Sequence, residues 1–571
     1  MKGKNEKNTK LIASQNKNKN LILNVKKKQI ILIIFLLIAL FIIISEFIIF
    51  IIIKTKNSNK NEKKEIIDNN IIKAQYYSSD IGIKIKIIDS QYINSEILNY
   101  IKIGENYFDN INNLTEYFLF NETGNIFIEI KFKKNLVSMD KMFKDCENLK
   151  NIDLSNMNSD KIKSMSELFS GCTELTSVNL YNFESPNLIN ISSMFQDCSN
   201  LNEINLPNLK TNKLKDISNL FSNCKRLTNI NNLNILETKN VINMRAIFRN
   251  CWSLKSVDLS KFNTQNAKDI SHFFHGCESL YDINLINFNT ENIEDMSYIF
   301  ADCQKIRNLN LNNFKTSKVI NMENMFYNCH LLTSIDTSTF DTSKVIHFSN
   351  MFDGCSSLTS LDLNHFITSK AKDLYHMFSG CSNLTYLNIK NFNTSNVENI
   401  CGMFSDCVSL TSIDVSSFDT SKVTDIGSLF SNCESIISLD IKNFDTSSVI
   451  YFNSFFQGCF SLESINFNFN TSNAEEMGGM FAQCHTLTSL NLKGFDTKKV
   501  YDMGYMFSEC NSLNYLNLET FDTSRVNVFW SLFNNLSDFG EIIFNSKFFS
   551  EDIINEIPEN WTKIDINDNF F

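Results

Sequence analysis

The sequence predicts an α/β solenoid: a right-handed coil with one parallel β-sheet and short helices on its convex side, preceded by a transmembrane helix. Three observations carry this. A cysteine recurs fifteen times from Cys146 to Cys510, almost always 26 residues apart, with a phenylalanine three residues before each. The spacing of apolar residues changes from three or four before the cysteine to two after it. Residues 30–53 form one long apolar run with a single charge, Glu46.

The repeat is plainest in MFDGCSSLTSLDL (Met351 to Leu363), followed by MFSGCSNLTYLNI (Met377 to Ile389) and MFSDCVSLTSIDV (Met403 to Val415). Counted from the cysteine, positions −7, −4, −3, 0 and +3 are apolar, the spacing of one helical stripe. Ser, Asp or Asn at −8 (Asp425) suits an N-cap, and Gly, Asn or Asp at −1 (Gly354, Asn432) suits a left-handed residue closing the helix. A helix of two turns needs a surface to pack on. After the cysteine, Leu358, Leu361 and Leu363 followed by Phe366 alternate inward, while Ser360, Asp362 and Asn364 point out, as in a strand. The predicted core of each turn is thus the set typified by Phe352, Cys355, Leu358, Leu361, Leu363 and Phe366. No single repeat can bury this face, so each is written to match its neighbours.

The pattern L-x-x-L-x-L is the strand signature of leucine-rich repeats. The fuller motif, as in MFSDCVSLTSIDVSSFDTSKVTDI (Met403 to Ile426), resembles the BspA-type leucine-rich-repeat surface proteins. Where other leucine-rich repeats carry asparagine after the strand, most copies here carry phenylalanine (Phe340, Phe366, Phe392). The resemblance covers roughly residues 120–536. It implies surface display and, as for some members, binding of host or matrix proteins.

The other boundaries follow from composition. Residues 1–29 carry nine lysines and one glutamate, a net charge of +8, against −10 for all 571 residues. The body after residue 29 is therefore at −18, which argues against nucleic-acid binding. The run 30–53, interrupted only by Glu46, would make a helix of about 36 Å, long enough for a ~30 Å hydrocarbon core. Lys26, Lys27 and Lys28 ahead of it point to a cytosolic N-terminus and a single-pass signal anchor. Localisation at the plasma membrane with the solenoid outside is the expectation. Residues 54–75 read as a flexible stalk, 76–119 as a membrane-proximal segment of undefined fold, 120–536 as the solenoid of 15–16 repeats, and 537–571, with Trp561, as a C-terminal cap. The stretch Ile126 to Met139 matches the repeat without its Phe–Cys start and would cover the other end.

The sixteen cysteines admit two readings, disulfides or buried small hydrophobes. Their position in a core column favours buried free thiols, and Cys401, outside the column, is the candidate reactive one. Asp or Asn at +7 (Asp336, Asp362, Asn388, Asp414, Asp440, Asn466) would form a row on the sheet. The row is either a polar ligand strip, with calcium where aspartates adjoin, or an inter-repeat hydrogen-bond ladder, and the ladder is favoured. Departures from the Ser pattern beside it, Tyr386, Lys390, Lys442 and Tyr515, are better contact candidates. The binding candidates on the concave face are thus Ser360, Asp362, Asn364, Tyr386, Asn388, Lys390, Asp414, Asp440, Lys442 and Tyr515. The threonine of FDT (Thr342, Thr420, Thr446, Thr497) reads as a turn or cap former.

His272 and His275 are three apart but lack a third ligand, and there is no C-x-x-C spacing, nucleophile elbow or P-loop. No metal, cofactor or catalytic residue is expected. The function expected is non-catalytic protein recognition or adhesion by a macromolecular partner's docking on the sheet. A structural coat or spacer, or a luminal scaffold of the secretory pathway, is the alternative. Glycosylation sequons such as Asn383 and Asn393 permit an outside location.

Overall fold

The computed structural model describes residues 70–206 and 209–567. The basic tail, the apolar run 30–53 and most of the expected stalk lie outside the described residues. Among the described residues no helix is long and apolar enough to cross a membrane.

The chain enters through a small antiparallel β unit. It comprises β1 (Ile71–Ser78), β2 (Ile83–Lys86), β3 (Leu98–Ile103), β4 (Asn106–Phe108), β5 (Tyr117–Phe120) and β6 (Gly124–Phe132). β1 pairs antiparallel with β6 on one side and with β7 (Leu149–Asn156), the first strand of the repeat stack, on the other. This corrects two boundaries. Residues 71–75, expected in the stalk, belong to β1, because Ile72 and Ala74 alternate inward and are buried. The stretch Ile126 to Met139 does not repeat the solenoid strand: its first part is β6, antiparallel to β1, and the solenoid register begins with the bridge from Ser138 to Ser164.

From Ser138 each turn of 25–27 residues stacks on the next. The side of the turn carrying the +5 to +7 residues forms short parallel pairs, such as Ser360–Asp362 with Tyr386–Asn388 and Ser438–Asp440 with Ser464–Asn466. The expected single parallel sheet is therefore broken into short pieces. The strands are also short: the Oδ1 of Asp362 accepts the N–H of Asn364 at 3.0 Å, an Asx turn that ends the strand after three residues. The continuous ladder lies on the other side, where one residue per repeat bridges the next without a break from Ser138 to Val528.

That second ladder replaces the expected helices. Around Met351 the N–H groups of Asn350, Phe352 and Gly354 donate to the carbonyls of Tyr375, Met377 and Ser379 in the next repeat, at 2.8–2.9 Å. The alternate N–H groups of Met351, Asp353 and Cys355 turn back three residues. Half the donors a helix would need are thus committed to the neighbouring turn. Asn350 at φ 54° and Gly354 at φ 72° also leave the right-handed region. Every column residue at −1 is left-handed, including Gln483 and Glu509, and so is every residue at −5. A single left-handed L-residue costs about 1–2 kcal/mol; the inter-repeat bonds offset that cost at each turn. Among the described residues the one α-helix is α1, Glu551–Glu556, whose first-turn N–H of Ile553 is capped by the Ser550 side chain.

The core is a set of columns. Fifteen successive phenylalanine pairs from Phe143 to Phe533 stack at ring-centroid distances of 5.4–6.1 Å. Such pairs contribute about 0.5–1.5 kcal/mol each beyond their buried area. Phe352, Cys355, Leu358, Leu361, Leu363 and Phe366 are all buried, as the pattern required. At the C-terminal end the strands Gly540–Phe544 and Trp561–Asp565 add in parallel beyond Tyr515–Asn517. The indole of Trp561 donates to the Ser537 carbonyl at 3.0 Å and covers the last turn.

Candidate functional site: the strand face

Each turn presents the side chains at +5, +7 and +9 on one face because inward positions +6 and +8 are taken by the core. Ser360, Asp362, Asn364, Tyr386, Lys390, Asp414, Asp440 and Lys442 are all exposed there, while Asn388 and Tyr515 are half-buried. Tyr515 is partly covered because the strand Gly540–Phe544 pairs beside it, which a repeat pattern ending at Leu536 could not reveal.

The Asp/Asn row has a structural task. Asn388 Nδ2 donates to Asp362 Oδ1 at 3.0 Å and Asn466 Nδ2 to Asp440 Oδ1 at 2.9 Å, so Asn–Asp neighbours join repeats. Oδ1 also accepts the N–H two residues on, as at Asp336, Asp414 and Asn491. The carboxyls of Asp336 and Asp414 lie below their ordinary range because Ser338 and Ser416 hydrogen-bond to them, and Asp440 does so because of Lys442. Among the described residues no group of three or more His, Cys, Asp or Glu side chains could hold a metal ion.

The chemistry left for a ligand comes from the residues that break the column. Tyr386 is 54 % exposed and pairs across the ladder with Ser360, which lines a shallow polar groove of about 800 Å³. That groove is lined by Ser334, Asp336, Ser338, Ser360, Asp362 and Asn364. Tyr181 and Ile286 at +9, with Tyr281 and Ile437 at +4, add exposed apolar surface that the sequence reading did not single out. Their signal was available in the same alignment: large aromatic or aliphatic side chains in columns that otherwise hold mostly polar residues, such as Thr333, Thr359 and Thr385 at +4 and Ser338, Asn364 and Ser416 at +9.

The threonine of FDT is not merely a turn former. Thr342 Oγ1 donates to the Ile367 carbonyl at 3.0 Å and accepts the Ile367 N–H at 2.7 Å, clasping the next repeat. The same donation recurs at Thr420, Thr446 and Thr497. All sixteen cysteines are free and the fifteen of the column are buried. Cys355 Sγ donates to the Phe326 carbonyl at 3.1 Å, one turn back, and its neighbours do likewise. Burial raises these thiols well above their ordinary range. Cys401, expected to be reactive, is half-buried, and burial with the facing Asp425 pushes its thiol up to about 12. Thiolate is the reactive form, so this site disfavours it.

Against this geometry, five overlapping segments, 134–256, 219–334, 295–409, 372–491 and 465–557, match the model of a family described as "Mycoplasma protein of unknown function, DUF285". The fold and its columns define a leucine-rich-repeat-like solenoid. The chain belongs to the DUF285 family, whose match spans well over half its length. No curated protein matches it. Among solved structures, a leucine-rich repeat protein from Bacteroides ovatus is 19 % identical, with 67 % of this chain and 88 % of that one covered and a TM-score of 0.38. A leucine-rich repeat protein of T. pallidum is 17 % identical, with 41 % and 85 % covered and a TM-score of 0.18. Scores at this level carry no argument, and the fold rests on the hydrogen bonds above.

Proposed function

We propose that this is a membrane-anchored surface protein of the BspA type whose solenoid recognises a protein partner through its strand face, without catalysis. The observation that carries the reading is the placement of Tyr386 and Lys390 on one exposed face, with Tyr386 paired to Ser360 of the polar groove. Amphipathic aromatics on a rigid support are the residues that protein interfaces draw on most. Display outside the cell rests on the apolar run 30–53 and the lysines ahead of it. Intact cells carrying a tag at each end of the chain would be treated with an impermeant biotin reagent and with protease. Labelling of the body and loss of the C-terminal tag, with the N-terminal tag protected, is expected. Protection of both tags would reject surface display.

A further inference from the structure

Away from the strand face, two consecutive repeats depart together from the small polar residues usual at −6, −5 and −2. Arg245 and Arg249 stand at −6 and −2 of one repeat, where the preceding repeat has Ser218 and Ser222. The next repeat places His272 at −5 and His275 at −2. Only five arginines occur in the chain, and two of them stand here, four residues apart. The left-handed turn at His272 (φ 55°) brings its Nδ1 to 2.9 Å from that of His275, and its ring stacks on Tyr298 at 4.4 Å between centroids.

The arginines lack the partners that such charges ordinarily have. Arg245 Nη1 donates to Ser271 Oγ, which donates in turn to Asp269 at 2.6 Å, so no carboxylate contacts the guanidinium directly. Arg249 makes no ion pair among the described residues, and its Nε is one of two buried side-chain polar atoms there with no hydrogen-bond partner. Asp302 is engaged elsewhere: it faces His275 Nε2 at 3.3 Å and accepts from Asn328 at 3.0 Å. Burial first, then the charges of Arg245 and Arg249 among its neighbours, lowers His272 to about 3, so both guanidinium groups act on this ring. Guanidinium groups present forked donors to oxyanions, and an unpaired buried donor is costly unless a ligand completes it.

We propose that Arg245, Arg249 and His272 form a binding site for a tetrahedral oxyanion, a phosphate or sulfate group, either free or borne on a polymer. The guanidinium of Arg249 supplies the unpaired donor, Arg245 the second charge and His272 a ring-nitrogen donor when the anion arrives. The site is independent of the strand face and of membrane display.

The test is calorimetric titration of the full chain, at fixed ionic strength, with inorganic phosphate and separately with a sulfated oligosaccharide. Saturable binding is expected with at least one probe, weakened about tenfold or more in Arg249→Ser and in Arg245→Ser, the loss of a charge-assisted donor. Both substitutions install the residue the preceding repeat already carries, so folding is expected to be kept and is checked by thermal melting. Lys255→Ser, which removes a cation on the exposed strand side, should leave binding unchanged. Equal affinity for the two probes assigns a free-ion site, and much tighter oligosaccharide binding assigns a polymer-borne group. No saturable binding of either probe, or equal binding by wild type, Arg249→Ser and Arg245→Ser, would overturn the proposal.

Discussion

Replacing Thr342 by valine tests whether the repeats are clasped by side-chain hydrogen bonds as well as by apolar columns. The side chain is 1 % exposed, and its Oγ1 holds both the N–H and the carbonyl of Ile367 in the next repeat. Valine keeps the volume and the β-branch but removes both bonds. At about 0.5–1.5 kcal/mol net for each, the loss should be about 1–3 kcal/mol, toward the upper end where the freed backbone groups cannot reach water. Thr342→Ser retains the hydroxyl and should cost less, since only a methyl is lost. The assay is urea unfolding of the full chain, read by circular dichroism, with the slope checked for unchanged cooperativity because repeat stacks can unfold in parts. If the valine variant is as stable as wild type and the serine variant is the weaker of the two, the threonine is a packing residue and its hydrogen bonds do not clasp the repeats.

Gly354→Ala should destabilise by about 2 kcal/mol, because φ is 72° and a Cβ would press on Asn328. Gly354→Asn, which installs a residue type found at −1 in other repeats, is the control, and thermal melting reads both. Asp353 is held up to about 6, chiefly by burial. The folded state therefore keeps its proton more tightly than the unfolded state, and stability is lost as pH rises from about 4 to 6 and stays lost at pH 7. Asp353→Asn should then gain about 1 kcal/mol at pH 7 after discounting partial exposure, and nothing at pH 3.5, as denaturant unfolding at the two pH values would show. A thiol reagent at pH 8 should leave the fifteen column cysteines and Cys401 essentially unlabelled in the folded chain, and should count all 16 after unfolding without reductant. Fewer than 16 would reveal disulfides.

The period, the core columns and the left-handed closure at −1 were all legible, because each repeats fifteen times against a variable background. The helix was misread for a physical reason. Positions −7, −4, −3, 0 and +3 suit a helical stripe, but they equally suit a stack of four-residue turns whose alternate N–H groups point to the neighbour. The distinguishing feature is the left-handed residue at −5, and its identity ranges over His272, Tyr298, Asn350 and Gly402. A conformation imposed by the ladder rather than by the residue leaves no compositional mark. At the N-terminal end, β1 has no repeated copy to announce it and takes its place by pairing with β7, a contact distant in the chain. On the strand face the Asx row was visible, and so were the exceptions Tyr386 and Lys390. Of the Arg245–His272 cluster only the His272–His275 pair was visible, because the arginines sit in other columns of the adjacent repeat.

Recognition by the strand face is tested most directly by comparing the full chain with a variant carrying Tyr386→Ser and Lys390→Ser, which restores the serine common in both columns. Surface plasmon resonance against a panel of purified extracellular-matrix proteins, with the chain itself included as analyte, measures both binding and self-association. Saturable binding to at least one matrix protein is predicted, weakened tenfold or more in the variant, with melting temperature unchanged. Self-association without binding to any matrix protein, unaffected by the two substitutions, would contradict recognition by this face and favour a coat.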